Sequence, residues 1–383
     1  MAVKRRYFDH NATAPLTKMA RVALLESLEI FANPSSVHTE GRAAKALLQR
    51  ARRQVADRLS ANPDNVIFTS GASEAAMTLL TPMYNMGRSK VHFSHLYVGA
   101  SEHPSIAEGG RFPKELISVV SIDHNGLIQE EILKNLLATH DKAKGLPLVA
   151  IQAANGETGV IQPIKKIAHI VRDAGGILIV DLVQYVDKYP IDINNFGGDF
   201  FILSAHKMGG LKGVGAFVAC SNLLMPCPLI IAGGQEKGFR GGTEALPLIA
   251  SFGAVMTECI TQEEIQRLSN LRSKLEEGLQ QISDDVKIFG KEVQRLPNTT
   301  YFAVCNVKAE TMQINFDLAG FSVSAGSACS SGKTKQSKVL EAMGYHNPYG
   351  AIRISIGRDT IQEDIDDFLF VFAQFIDNSK KLR

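Results

Sequence analysis

No apolar run in the chain approaches the ~18 residues needed to cross a bilayer as a helix, which excludes a conventional membrane-spanning segment. Charge of one sign is also missing. The 41 Lys and Arg nearly cancel the 39 Asp and Glu, leaving +2, so nothing predicts a nucleic-acid or membrane surface. Cysteine is sparse: Cys220, Cys227, Cys259, Cys305 and Cys329 show no C-x-x-C spacing, and five leave at least one thiol unpaired. That argues against a disulfide scaffold and a structural zinc site, and leads us to expect a reducing cytoplasm. Residues 1–6 are basic, but no apolar stretch follows, so no secretory signal is expected. His92 and His95 would face opposite sides of a strand, so no metal site is expected within the chain. Internal repeats and low-complexity tracts are absent.

What is present is an ordinary globular composition, 45% hydrophobic and 21% charged, over 383 residues. That length calls for a larger domain and a smaller one. Residues 41–59 place Ala44, Leu47, Leu48, Ala51, Val55 and Leu59 on one helical face. Strands are expected at 66–69 and near 91–94, 117–121, 147–152, 177–180, 200–204 and 214–219, with helical patterns between them. One of those, 163–174, stops at Gly175-Gly176. This alternation predicts an α/β fold with a mostly parallel, doubly wound sheet. After about residue 255 the pattern changes to a long helix at 263–282, strands near 286–289, 299–305 and 351–356, and helices near 336–343 and from 361. We therefore expect a large domain over 15–255. A small α+β domain would comprise 1–14 and 256–383.

In doubly wound sheets ligands sit beyond the carboxyl ends of the strands. That edge collects Gly71-Ala72-Ser73, Asn155, Asp181 with Gln184, and His206 with Lys207. A carboxylate and a lysine ending successive buried strands suit pyridoxal phosphate. This cofactor needs a lysine amine for its Schiff base and a carboxylate to keep its ring nitrogen protonated. An exposed lysine and a helix-capping aspartate are the plain alternative. Ser70-Gly71-Ala72-Ser73 could offer N–H groups to a phosphate or simply cap a helix at Ser73. The glycine-dense loop 232–243 could bring Thr243 to a phosphate, or be a flexible surface loop. His103 could stack on a pyridine ring and move protons, or be structural. Arg353 interrupts an apolar strand and needs an anion, either a substrate carboxylate or an internal Asp or Glu.

Cys329 stands apart from the other thiols, which read as structural. Small polar residues surround it in Ser324-Ala-Gly-Ser-Ala-Cys-Ser-Ser-Gly332, and Lys333 and Lys335 favour a thiolate. A loop there could carry a nucleophilic sulfur from a cofactor to a partner surface; an inert exposed thiol is the alternative.

The sequence resembles the group I cysteine desulfurases, pyridoxal-phosphate enzymes of the fold type I, class V aminotransferase superfamily. The likeness runs end to end, through Phe8-Asp-His-Asn-Ala-Thr13, Asn33-Pro-Ser-Ser-Val-His-Thr-Glu-Gly-Arg42, Phe68-Thr-Ser-Gly-Ala-Ser-Glu74 and Glu102-His-Pro104. It continues in Asn155-Gly-Glu-Thr-Gly159, Asp181-Leu-Val-Gln184, Ser204-Ala-His-Lys207, Arg240-Gly-Gly-Thr243, Gly326-Ser-Ala-Cys-Ser330 and Ile352-Arg-Ile-Ser-Ile-Gly357. The resemblance implies that Lys207 carries the cofactor, Asp181 pairs with its ring nitrogen, Gln184 meets its phenolic oxygen and His103 stacks on it. Ala72, Ser73, Ser204 and His206 would hold the phosphate, joined by Thr243 of a neighbouring subunit in a homodimer. Asn155 and Arg353 would secure L-cysteine. Cys329 would take its sulfur as a persulfide, leaving L-alanine. An iron–sulfur scaffold, or another acceptor protein, would then receive the sulfur, and any metal cluster at Cys329 would be shared with that scaffold. Ser73 replaces the usual threonine but keeps a hydroxyl. Leu211 stands where proline is common, and Gly241 is expected to add flexibility before Thr243. Selenocysteine lyases, conventional class V aminotransferases and a silent interaction platform are the competing readings.

Overall fold

Successive residues of the buried strands are all apolar, so alternation sends side chains into two separate cores. In the computed structural model, which describes residues 4–325, 337–346 and 348–381, Leu178, Val180, Phe201 and Leu203 join one core. Ile179, Phe200 and Ile202 join the other. Helices cover both faces, as the sequence predicts.

In chain order the strands are β1 (Arg6–Tyr7), β2 (Val66–Thr69), β3 (Met83–Met86), β4 (Ser89–Gly99), β5 (Ile117–Val120), β6 (Leu146–Gln152), β7 (Ile177–Asp181), β8 (Phe200–Ser204), β9 (Gly215–Ala219) and β10 (Leu224–Pro226). They are followed by β11 (Val286–Ile288), β12 (Thr299–Val304), β13 (Phe321–Ser322), β14 (Ser324–Ala325) and β15 (Ile352–Ser355). The main helices before residue 260 are α1 (Lys18–Ser27), α2 (Thr39–Leu59), α3 (Ala72–Leu79), α4 (Pro104–Ala107), α5 (Glu130–Ala138), α6 (Ile164–Asp173), α7 (Ile193–Phe196) and α8 (Leu246–Met256). Later come α9 (Gln262–Ile282), α10 (Ala309–Leu318), α11 (Lys338–Ala342) and α12 (Gln362–Lys381).

The large sheet runs β10-β3-β4-β6-β7-β8-β9-β2, with β5 paired to β4. Only β3 and β9 run against the common direction, which makes the sheet mostly parallel by orientation. Gly175, at φ +73°, ends α6 in the left-handed conformation that a side chain would disfavour. A four-stranded antiparallel sheet, β11-β12-β15-β14, holds a third core on one face with α9, α10 and α12. β12 alternates in turn: Phe302 and Val304 enter that core, while Tyr301 and Ala303 face the core of the large sheet. The N-terminal segment joins the smaller sheet side, with β1 parallel to β13 and Phe8 buried in the third core.

β2 is an edge strand, and its outer backbone groups are satisfied from outside the sheet. The Phe68 N–H donates to Glu236 Oε2 (2.8 Å), and Arg52 Nη1 donates to the Val66 carbonyl (2.5 Å). Arg52 and Glu236 also pair through both terminal guanidinium nitrogens at 2.8 and 2.5 Å, with both side chains buried. Glu236 sits in the glycine-dense loop and anchors it to β2. Arg52→Ala should destabilise the fold by ~3–5 kcal/mol by leaving a lone buried carboxylate, seen as a lower urea midpoint. Pairing Arg52→Met with Glu236→Leu should recover only part of that loss, because the Phe68 N–H and the Val66 carbonyl would lose their partners.

Candidate active site

β2, β4, β6, β7 and β8 point the same way, so their carboxyl ends share one edge. At or past those ends lie the Gly71 turn, His103, Asn155, Asp181 and Lys207. Asp181 is the last residue of β7. Lys207 closes a single 3-10 turn, Ala205–Lys207, after Ser204 ends β8. The Lys207 ammonium donates to the carbonyls of Asn11 (2.7 Å) and Ala12 (3.0 Å), and Gln184 Nε2 donates to the same Asn11 carbonyl (3.0 Å).

Charge ties these groups together. Burial pushes the Asp181 carboxyl up to about 6, against the Val183 N–H, which donates to Oδ1 at 2.8 Å, and the nearby Lys207 charge. Burial and then the Lys207 charge hold His103 below the usual imidazole value. The same two causes, joined by Lys212, bring His206 down to about 4. Lys207 is thus sensed by Asp181, His103 and His206 alike. His103 caps α4: its Nδ1 accepts from the Ser105 N–H (3.2 Å), which leaves the proton of the neutral ring on Nε2. The ring remains open to solvent although the protein is dense behind it.

The turn into α3 is open at Gly71, where a Cβ would meet no heavy atom within 4 Å. Gly71, not Ser73, is the N-cap. No side chain caps the helix, so Ala72 and Ser73 lie in its first turn. A Cβ on Gly215 would stand 2.7 Å from the Gly71 carbonyl carbon, so only glycine lets β9 approach this turn. The Ser70 N–H donates to Glu74 Oε2 (2.7 Å), and Glu74 pairs with Arg240 (3.0 Å) at the end of the glycine-dense loop. Ser204 is buried, and His206 Nδ1 meets Thr13 Oγ1 at 3.2 Å. A lysine amine, a buried carboxyl that a protonated ring nitrogen would return toward ionisation, and an uncapped helix start together fit pyridoxal phosphate. Thr243 is exposed on its loop. Gly241 is not a point of flexibility: its N–H donates to the Ile230 carbonyl (2.9 Å), and a Cβ there would collide with the Ala232 backbone.

Alternation along β15 sends Ile352 and Ile354 into the third core and Arg353 to the opposite face. There Nη2 pairs with Asp9 Oδ1 (2.7 Å) and Nη1 donates to the Gly156 carbonyl (3.0 Å). The anion left open by the sequence is therefore internal in this structure. Asn155 Oδ1 is spent on its own turn, accepting from the N–H groups of Glu157 (2.9 Å) and Thr158 (2.8 Å), while Nδ2 donates to the Ser101 carbonyl (3.1 Å). Asp9 and Asn11 were missed as site residues. The only sequence signal for them was the motif at 8–13, to which no role attached. Cys329 lies outside the described residues; Ala325 and Ser337 are the described residues on either side. Of the other four cysteines, Cys259 and Cys305 are exposed, a correction to their reading as structural thiols. Cys220 turns its sulfur inward to the Gly198 carbonyl (3.2 Å), and burial raises it to about 11. Among the described residues no cluster of three or more side chains could hold a metal ion, and no helix is long and apolar enough to cross a membrane.

Residues 6–368 match the aminotransferase class-V family. The chain belongs to that family. Class-V relatives include the cysteine desulfurase IscS of Dictyoglomus turgidum, 33% identical over 98% of this chain and 95% of that protein. The cysteine desulfurase IscS 1 of Archaeoglobus fulgidus is 31% identical over 98% of each. Among solved class-V structures, a NifS-like protein from Rickettsia africae superposes with a TM-score of 0.86 at 33% identity, covering 97% of this chain and 99% of that one. The protein therefore has the class-V aminotransferase fold, that of the fold type I pyridoxal-phosphate enzymes.

Proposed function

We propose that the chain is a cysteine desulfurase that converts L-cysteine to L-alanine and passes the sulfur to its own Cys329. The observation that carries this reading is the placement of Lys207 and Asp181 at the ends of adjacent strands, with the Lys207 charge acting on Asp181, His103 and His206. The full-length similarity to proteins named cysteine desulfurase supports the substrate. So does a 25% identical structure solved in complex with cysteine.

Pyridoxal phosphate, when bound, supplies an electron sink that labilises the amino acid. Lys207 Nζ holds it and moves the proton at the substrate Cα; Asp181 keeps the ring nitrogen protonated. Gln184 orients the phenolic oxygen. Ala72, Ser73, Ser204 and His206 hold the phosphate, with Thr243 contributed across a homodimer. His103 covers the ring and presents Nε2–H. Arg353 and Asn155 orient the substrate carboxylate. Cys329 attacks the substrate sulfur, so one C–S bond breaks, one S–S bond forms and Cβ takes a proton, giving alanine and a persulfide. An acceptor such as an iron–sulfur scaffold in the cytoplasm then receives the sulfur. We assign residues 15–255 to a large cofactor-binding domain. Residues 1–14 and 256–383 form a small one carrying Cys329.

Release of alanine and sulfide from L-cysteine, with reductant and pyridoxal phosphate, tests this. The wild type should give stoichiometric alanine and sulfide, and Cys329→Ala should lose nearly all of both. Cofactor bound without alanine from the wild type would overturn the reading in favour of transamination.

A further inference from the structure

Arg353 is held on every side before any ligand arrives. Its strand is flanked by β12 and β14, with Tyr301 and Ser324 as register partners. Nη1 is bound to Gly156 O and Nη2 to Asp9, while Nε is buried and meets no acceptor. The Nε edge is therefore closed, and a carboxylate can reach this guanidinium only through its Nη hydrogens. Asp9 already occupies one of them. Its backbone is fixed: Asp9 bridges to Ser355, the His10 N–H donates to the Ser355 carbonyl (3.1 Å) and the Ala12 N–H to the Asp9 carbonyl (3.0 Å). Phe8 anchors the segment in the third core. The Asp9 carboxylate thus has little freedom to withdraw.

We propose that Asp9 is a specificity-determining residue that makes Arg353 a weak, rather than a tight, receptor for the α-carboxylate of its ligand. The proposal rests on the reading of this site as one that binds L-cysteine. An incoming carboxylate meets a guanidinium whose charge is already matched, and two anions must share it. Their repulsion lowers affinity for every anionic head group. The product alanine carries the same carboxylate as the substrate, so the weakened grip also hastens its departure. A neutral oxygen at the same position would still orient Arg353 without opposing the ligand.

The test is Asp9→Asn in the holoenzyme, read with three small molecules. The KM for L-cysteine should fall about tenfold, the order expected on removing a like charge a few ångströms from the ligand. The inhibition constant of 3-mercaptopropionate, which has the carboxylate but no amine, should fall by the same factor. Inhibition by cysteamine, which has the amine but no carboxylate, should not strengthen. Asp9→Glu, which keeps the charge, should remain close to wild type. A KM for L-cysteine that stays level or rises, or an equal shift with cysteamine, would overturn the proposal. If Asp9→Asn does not fold, Asp9→Ser takes its place with the same expectations. Should the wild type release no alanine, the desulfurase reading fails by itself. Binding of 3-mercaptopropionate to wild type and variant, measured by calorimetry, would still decide the role of Asp9.

Discussion

Lys207→Ala is expected to abolish alanine formation from L-cysteine, by ~10⁴-fold or more, because a methyl group cannot take the place of a covalent amine. The Lys207 nitrogen is directed by the carbonyls of Asn11 and Ala12, which gives it a fixed origin in the site. Lys207→Arg should be as inactive as Lys207→Ala although it keeps the charge, since a guanidinium is not a nucleophilic amine at working pH. The absorbance of the protein after incubation with pyridoxal phosphate and gel filtration gives a second readout. Wild type should retain the lysine-bound chromophore, and both variants should lose it. Retention of that spectrum in Lys207→Ala would mean that another lysine binds the cofactor.

Asp181→Asn should produce two effects of opposite sign. Activity should fall ~10²–10³-fold, the scale of a lost charge-stabilising contact at the reacting centre, because an amide cannot hold a ring nitrogen protonated. Stability of the cofactor-free protein should rise near neutrality. Folding raises the Asp181 carboxyl from 3.8 to about 6, so the folded state binds the proton more tightly than the unfolded one. The resulting stabilisation is complete below the unfolded value. It is lost as pH climbs through the folded value. The wild-type cofactor-free protein should therefore lose stability between about pH 4 and 6, on the order of 2–3 kcal/mol, and Asp181→Asn should lack that slope. Urea unfolding across that range checks it. A slope unchanged by the substitution would place the titrating group elsewhere.

The strands at 66–69 and 200–204 and the helix on 41–59 were legible because each carries its own pattern: a short apolar run, or apolar residues at helical spacing. β4 was expected only near 91–94, yet it spans Ser89–Gly99, since its first half pairs in a hairpin with β3, whose Met-Tyr-Asn-Met sequence has no alternation. α8 escaped notice for a different reason. It packs against both α1 and α2 and is buried almost all round, so it has no polar face to mark a period. The site divides along similar lines. Asp181 and Lys207 could be read because each ends its own apolar run. The Asp9 partner of Arg353 could not, because 344 residues separate them and no local pattern records a tertiary pairing.

That separation bears on synthesis. The first residues of the chain contribute Asp9, Asn11 and Ala12 to the site, but they are held in place by Phe321, Ser322 and Ser355, near its end. A nascent chain can complete the large sheet while still on the ribosome. The segment that directs Lys207 can rest on the large sheet early, since the Ala14 N–H donates to the His206 carbonyl (2.9 Å), but its pairing with β13 and Ser355 waits until those residues have emerged from the exit tunnel, and closing so long a loop is slow. The contacts that fix Asp9 and Asn11 are thus complete only once β15 has been made, and a chain cut before β15 would lack the Ser355 half of that anchor.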